Sequence, residues 1–288
     1  MPSVQVPPGV EGIVAITELP DPAWRERWDR IVVPPRTKER ILSYLLFALR
    51  YRGRVSGVGL PIHGVLLLAG PPGTGKTTLA AGLANEAARE LGGPLLFVEI
   101  DPHSFPSQML GESQRAVSRL FERTLPDLAR RGSPTVILLD EVEALAVSRA
   151  GASLETNPVD VHRATDAVLA GVDLVARTCP NVVFVATTNH ASGVDVAFLS
   201  RADLVEQIGP PGPEAIVRIL GDTMGELVRA DGIDGEALRT LASACAERGL
   251  DARQVRKLVL RAACSSPTLA LAPERLTIAD VASALRAE

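Results

Sequence analysis

The stretch with the clearest chemistry is Gly70-Pro71-Pro72-Gly73-Thr74-Gly75-Lys76-Thr77. It follows the apolar run Val65–Ala69 and precedes apolar residues at helical spacing, so the sequence predicts strand, loop and helix. The glycines let successive backbone N–H groups turn toward oxygen anions, and the N-terminus of the next helix adds its positive dipole end. The residues expected to hold the phosphates of a nucleoside triphosphate are Gly73, Thr74, Gly75, Lys76, Thr77 and Thr78.

Two carboxylates, Asp140 and Glu141, end the apolar run of residues 136–139. Beside a bound triphosphate, Lys76 supplies a point charge for the β- and γ-phosphates, while Thr77 and Asp140 hold Mg²⁺. Glu141 then polarises a water for in-line attack on the γ-phosphate. A strand that ends in Asp-Glu also fits a solvated turn. Its place downstream of a phosphate loop favours hydrolysis.

Two further side chains are candidates for the same chemistry. Asn189 ends the apolar run that leads into Thr187-Thr188-Asn189, where its amide can orient the attacking water and contact the γ-phosphate. The alternative is an Asn turn cap. Arg201 precedes a predicted edge strand, so it can face a neighbouring subunit and stabilise transition-state charge in trans. The alternative is a surface salt bridge.

The elements that must position these residues alternate between strand-length and helix-length patterns. The predicted strands are Val65–Ala69, Leu95–Ile100, Thr135–Leu139 and the runs at 182–186 and 204–208. This alternation predicts an open α/β fold, a parallel five-stranded sheet with helices on both faces, with nucleotide at the carboxyl ends of the strands. Residues 1–23 form a predicted N-terminal arm and 24–210 a large domain. A break near residues 209–213 begins a small helical lid domain over 211–288, whose last helix has a capping box at Thr277 and Asp280.

Composition narrows the class of protein. The chain has 288 residues, 46% hydrophobic content and a net charge of −4, which argues against a protein that tracks DNA or RNA, although a local basic groove stays open. Cys179, Cys245 and Cys264 have no paired metal spacing and are expected to be small buried residues. There is no signal-peptide pattern, and no apolar run approaches about 18 residues. We therefore expect a cytoplasmic protein without a membrane partner.

Taken together, these residues resemble the AAA+ ATPase family. Residues 108–113, Gln-Met-Leu-Gly-Glu-Ser, look like the first pore loop of its protein-remodelling members, with Met109 in the usual aromatic position and Leu110 beside it. The resemblance implies ATP and Mg²⁺ as cofactors and assembly into a ring, expected to be a homo-hexamer. It also implies that adenine lies near Ile31, Val32 and Val33, where the family's strap passes.

Three stretches narrow the resemblance to the HORMA-domain remodellers, the pachytene-checkpoint and thyroid-receptor-interactor branch. They are residues 99–104, 140–145 and 201–211, with a fourth at 249–258 in the lid. In that branch an arginine of the lid reaches the γ-phosphate as a second sensor, and Arg253 takes its place. Asp251 and Ala252 depart from the usual Ser-Gly, although Asp251 can still cap the helix that carries Arg253.

The resemblance implies a protein remodeller that unfolds part of a HORMA-domain protein through a central pore. Similar bacterial proteins occur beside HORMA proteins and cyclic-nucleotide synthases in CBASS anti-phage systems. The alternative from another class is a nucleic-acid-associated AAA+ ATPase, such as a clamp-loader-like or transposition-helper protein. The acidic balance and the pore-loop pattern argue against it. A non-hydrolysing nucleotide switch is disfavoured because Glu141 and Arg201 are both present.

Overall fold

A computed structural model describes residues 12–55, 62–102, 105, 112–130, 132–146, 158–228 and 234–287. Its sheet has six strands: β1 (Ile13–Leu19), β2 (Val65–Ala69), β3 (Leu95–Ile100), β4 (Thr135–Leu139), β5 (Val182–Thr188) and β6 (Leu204–Gln207). Their order across the sheet is β1-β3-β4-β5-β2-β6. Strands β2 to β6 pair in parallel, whereas β1 is antiparallel to β3. The parallel five-stranded arrangement predicted from the sequence is confirmed, with a sixth strand added at one edge.

Seven α-helices of the described residues accompany this sheet. They are α1 (Pro22–Arg30), α2 (Pro35–Val55), α3 (Lys76–Leu91), α4 (Glu112–Arg119), α5 (Leu125–Ala129), α6 (Pro158–Thr178) and α7 (Val196–Leu199). A π-helical turn, Leu120–Thr124, joins α4 to α5. The helix predicted after the phosphate loop is α3.

The central strands are buried along their whole length, which explains their continuous apolar sequences. Every residue of β2, β4 and β5 is buried, and Phe97 and Phe184 are fully enclosed in the sheet. Strands covered on both faces lack the apolar–polar alternation of a half-exposed sheet. Because β4 and β5 run in parallel, the polar residues that follow their carboxyl ends lie at the same edge of the sheet.

The sequence prediction for the N-terminal segment needs correction. Residues 1–23 were expected to form an arm, but residues 13–19 form β1, in which Ile13, Ile16 and Leu19 are buried. The helix α1 then begins at Pro22 because the Asp21 side chain accepts a hydrogen bond from the Ala23 N–H. Its Trp24 is buried and packs edge-to-face on Phe97, with the ring centroids 5.2 Å apart.

The described residues divide into two compact units. The first ends at Gly70 and resumes over Lys76–Gln207, and the second contains Pro71–Gly75 and the chain from Ile208 onward. Proposed domain boundaries at residues 23 and 210 stay a prediction.

The second unit is helical, as predicted. Its helices are α8 (Pro213–Gly225), α9 (Gly235–Glu247), α10 (Ala252–Ala263), α11 (Pro267–Leu271) and α12 (Ile278–Arg286). Its own core includes Ile216, Leu220, Leu258 and Val281, all fully buried. The capping box predicted at Thr277 and Asp280 is confirmed, and α11 was not predicted.

Cys179 and Cys245 are buried, as expected, but Cys264 at the end of α10 is exposed, so the expectation of three buried cysteines is wrong. Its position follows from the helix, which places Ala262 and Ala263 toward the core and the next residue outside. None of the described helices is long and apolar enough to cross a membrane.

Candidate nucleotide-binding site

The phosphate loop has the backbone that its glycines predict. Gly73 and Gly75 have φ values of +81° and +85°, a region that side-chain-bearing residues rarely occupy. The Thr74 hydroxyl donates to the Pro71 carbonyl at 3.0 Å, which closes the turn. Thr77 and Thr78 are exposed in the first turn of α3, where the N-terminal N–H groups can hold an anion.

Lys76 contacts the residue after β2 and the residue after β5. Its ammonium group donates to the Gly70 carbonyl and to Asn189 Oδ1, each at 2.8 Å. Burial lowers the pKa of Lys76, and the negative charges of Glu143, Asp140 and Glu141 oppose that shift. The three carboxylates therefore keep a cation in a site where desolvation alone would disfavour one.

Asp140 lies at the carboxyl end of β4 and receives two hydroxyl hydrogen bonds on the same oxygen. Thr77 Oγ1 donates to Asp140 Oδ1 at 2.8 Å, and Thr187 Oγ1 donates to it at 2.6 Å. A hydroxyl and a carboxylate at contact distance are oxygen donors of the kind that Mg²⁺ takes together with substrate phosphates. The pairing predicted between Thr77 and Asp140 is present.

Glu141 adopts a left-handed conformation, with φ 53° and ψ 55°. For a residue with a side chain this costs about 1–3 kcal/mol, and such strain concentrates at functional sites. Its backbone N–H donates to Thr187 Oγ1 at 2.9 Å. Its carboxylate accepts from Asn189 Nδ2, also at 2.9 Å. Asn189 therefore bridges Lys76 and Glu141 through its side chain. These contacts go beyond those of a turn cap, which was the alternative for this residue.

Two polar residues of this cluster received no role from the sequence. Thr187 is almost fully buried and connects Asp140 to Glu141. Glu143 accepts from the Asn189 backbone N–H at 3.0 Å, while its second carboxylate oxygen is buried without a partner in the described chain. The signal for both was the dense polar sequence after β4 and at the end of β5, where carboxyl ends of parallel strands meet.

Arg201 forms the salt bridge that sequence analysis kept as the alternative. Its Nε and Nη2 atoms donate to the two carboxylate oxygens of Asp173 on α6, each at 2.7 Å, and Nη1 donates to the Ala197 carbonyl. These hydrogen bonds hold the pKa of Asp173 below its usual range and raise that of Arg201. Three of the five N–H donors of the Arg201 guanidinium are therefore engaged within the chain. The action of Arg201 in the site of a neighbouring subunit stays a prediction.

Asp203, two residues after Arg201, anchors the start of β2. Its carboxylate accepts the backbone N–H groups of His63, Gly64 and Val65, at 3.0, 2.6 and 3.2 Å, and the Tyr44 hydroxyl at 2.7 Å. Burial and the Asp203 charge raise the pKa of Tyr44, so the hydroxyl remains a donor. This network fixes the segment that carries Arg201 to the sheet.

The predicted contacts with adenine, from the lid and in the pore stay predictions. Ile31 and Val32 are half-buried between α1 and α2, and their contact with adenine stays a prediction. Arg253 is exposed on α10 of the second unit, where Asp251 caps the helix through the Gln254 N–H as expected. Met109 and Leu110 lie outside the described residues.

The fold and the cluster define a nucleotide hydrolase of the P-loop class. Residues 66–210 match the model of the ATPase family associated with various cellular activities (AAA), and the chain belongs to this family. It is therefore an ATPase, as the sequence resemblance implied.

Comparison with individual relatives shows to which branch of the AAA family the chain belongs. The chain is 42% identical to CD-NTase-associated protein 6 of Pseudomonas aeruginosa over 280 residues, which cover 96% of this chain and 92% of that protein. It is 34% identical to the pachytene checkpoint protein 2 homolog of Xenopus tropicalis over 73% of this chain, and it spans about half of that longer relative, 50%. These matches confirm the resemblance to the pachytene-checkpoint branch.

The same fold occurs in a solved structure described as "Structure of E. coli MS115-1 HORMA:CdnC:Trip13 complex". The match has a TM-score of 0.83 and covers 98% of both chains at 20% identity. At that identity the likeness concerns the fold.

Proposed function

We propose that this chain is a ring-forming, Mg²⁺-dependent ATPase that remodels a HORMA-domain protein in the cytoplasm. Remodelling would disassemble the complex of that protein with a nucleotidyltransferase and so regulate a CBASS anti-phage response. The observation that carries the hydrolytic part is the bridge of Asn189 between Lys76 and Glu141. The 42% identity to CD-NTase-associated protein 6 over nearly the whole chain supports the assignment to a CBASS anti-phage system.

Each residue of the cluster has a distinct task in this proposal. Lys76 and the phosphate loop bind the triphosphate, and Thr77 with Asp140 would hold Mg²⁺, which supplies charge neutralisation at the phosphates. Glu141 accepts the proton of the attacking water, and Asn189 holds the Glu141 carboxylate in place. Arg201 would act in the site of the next subunit of a hexamer, and Arg253 would couple hydrolysis to motion of the lid.

The proposed remodelling step suits a substrate protein that holds its partner with a single segment wrapped around it. A HORMA protein encloses a peptide with such a segment, so local unfolding releases the partner without unfolding the whole domain. Met109 and Leu110 would line the pore that pulls on it.

The replacement Glu141→Gln tests the hydrolytic assignment. The variant should bind ATP, accumulate as an oligomer and hydrolyse ATP at least about 100-fold more slowly, because the general base is lost. Glu214→Gln, an exposed glutamate at the start of α8, is the matched control and should leave hydrolysis unchanged. Parental turnover by Glu141→Gln would eliminate Glu141 as the base. Stimulation of ATP hydrolysis by a candidate HORMA protein tests the choice of substrate.

A further inference from the structure

A basic cleft lies on the first unit, formed by α4, the π-helical turn and α6. Its volume is about 580 Å³, and four of its lining residues are arginines: Arg115, Arg119, Arg123 and Arg163. One carboxylate, Glu122, also lines it. The cleft contains none of the residues assigned to ATP hydrolysis.

The spacing of the arginines destabilises the helix, and no contact with the described residues offsets this effect. Arg115, Arg119 and Arg123 follow one another at four-residue intervals, and the first two both lie on α4, where like charges four residues apart repel. Among the described residues, none of these three has a carboxylate or hydrogen-bond partner. Elsewhere in this unit, Arg89 and Arg130 each pair with the carboxylate three residues earlier, at 2.7 and 2.6 Å.

The π-helical turn that carries Arg123 is firmly packed against the sheet. Phe121 in the π-helical turn is fully buried and stacks on Phe184 of β5, with the ring centroids 5.9 Å apart. Gly171 on α6 allows this approach, because a Cβ there would lie 2.5 Å from the Phe121 Cβ. A π-helical turn within an α-helix is rare and frequently marks a functional site. The arginines therefore project from a fixed support.

We propose that this cleft binds an acidic segment of the polypeptide that the ATPase remodels. An arginine fork binds a carboxylate through two parallel hydrogen bonds, which selects Asp and Glu side chains. Arg115 and Arg119, four residues apart on α4, are separated by about 6 Å along the helix axis, and alternate side chains of an extended chain by about 6.6 Å. An extended segment with acidic residues at alternate positions therefore fits the row. Gln114 and Ser118 can bond its backbone.

The choice of a polypeptide rests on the proposed remodelling function and on what lines the cleft. Proteins that hold single-stranded nucleic acid stack its bases on aromatic side chains, and none of the described residues that line this cleft is aromatic. Glu122 would also repel a phosphate backbone, whereas a polypeptide can place an amide or a hydroxyl against it. The acidic net charge of the chain disfavours nucleic acid further.

Fluorescence anisotropy of the full chain with a short labelled peptide of alternating Glu and Ser tests this inference. The cleft variant replaces Arg115, Arg119 and Arg123 by alanine. The matched control replaces three exposed arginines of the second unit, Arg218, Arg239 and Arg256. We expect the peptide to bind, and the cleft variant to bind it at least about tenfold more weakly while the control is unchanged. Added salt should weaken binding to the parent chain.

Three outcomes would overturn the inference. The peptide could fail to bind the parent chain, or both triple variants could lose peptide affinity equally. Alternatively, labelled oligothymidylate could bind more tightly than the peptide and lose its binding in the cleft variant, which would make this a nucleic-acid site. Basal ATP hydrolysis of both variants should match that of the parent chain, and the melting temperature of the cleft variant should be no lower than that of the parent, because the repulsion between the arginines is removed. Failure of the proposed function would instead appear as undiminished hydrolysis by Glu141→Gln, which is measured without the peptide.

Discussion

At the scale of single residues, the proposed catalytic cluster is held together by side chains at the ends of two neighbouring strands. Thr187 at the end of β5 hydrogen-bonds both Asp140 and the Glu141 backbone at the end of β4. Asn189 follows the same strand and contacts Lys76 and Glu141. The strained backbone of Glu141 is therefore stabilised by contacts from β5, and the proposed base Glu141 and Lys76 contact the same amide group.

Glu143 offers a test of the electrostatics around Lys76. Replacing Glu143 by Gln removes a charge that raises the pKa of Lys76, so this pKa should fall further than burial has already lowered it. A lower pKa means that Lys76 loses its proton earlier as the pH rises. ATP affinity measured against pH should therefore decline at a lower pH in Glu143→Gln than in the parent chain. Glu214→Gln should keep the parental profile, and identical profiles for all three proteins would contradict the assignment.

Asp173 is expected to position Arg201 for action in a neighbouring site. Asp173→Asn retains the shape of the side chain but removes the charge that holds the guanidinium in a bidentate pair. We expect kcat for ATP to fall by roughly tenfold, with KM changed by less than about twofold. The control is Asp127→Asn, which breaks the exposed Asp127–Arg130 pair of similar length. Equal kcat for Asp173→Asn and the parent chain would leave Asp173 a structural partner only.

At the scale of elements, the N-terminal segment is bound to the phosphate-loop helix by close backbone packing. On α3, a Cβ at Gly82 would lie 2.8 Å from the backbone nitrogen of Trp28 on α1. The Asn85 side chain also accepts the Asp21 backbone N–H at 2.8 Å. The segment with Ile31 and Val32 follows α1 directly, so this contact sets the place of the proposed adenine strap.

Gly82→Ala should destabilise the protein by about 1–3 kcal/mol, because the added methyl group meets backbone that cannot move aside cheaply. The same replacement at Gly221, inside α8, meets only a Leu238 methyl at 3.9 Å. There alanine should stabilise by up to about 1 kcal/mol through its better helix propensity. Urea unfolding of both variants measures the difference. A gain in stability at both glycines would contradict the close approach of α1 to α3.

At the scale of the whole molecule, the proposed ring requires that one subunit complete the site of the next. Arg201 is the residue assigned to that contact, and Lys76 belongs to the subunit that binds the triphosphate. Each of the variants Arg201→Ala and Lys76→Ala should be inactive alone. Mixed rings should regain hydrolysis, because an intact Lys76 then lies beside an intact Arg201 of the neighbour. Activity equal to the sum of the separate variants, with subunit exchange shown by affinity tags, would exclude action in trans.

The sequence by itself determined the features that are local in the chain. The phosphate loop, the five parallel strands, Asp140 with Glu141, and the caps at Asp251 and Thr277 each depend on residues close to one another. Glycine spacing, continuous apolar runs and capping residues specify such features without knowledge of the fold. The strand ends also predicted Asn189 and Arg201 as site residues, and the family resemblance added Arg253.

Only the tertiary structure decided which distant residues meet. β1 was missed because its flanking sequence resembles a loop, and it becomes a strand by pairing with β3 far along the chain. Thr187 as the link between Asp140 and Glu141, Glu143 beside Asn189, and Asp173 opposite Arg201 all depend on contacts between separate elements. Such pairings are set by sheet order and helix packing, which no local pattern encodes. For the same reason, the arginine row of α4 and the π-helical turn became a cleft only when α6 closed it.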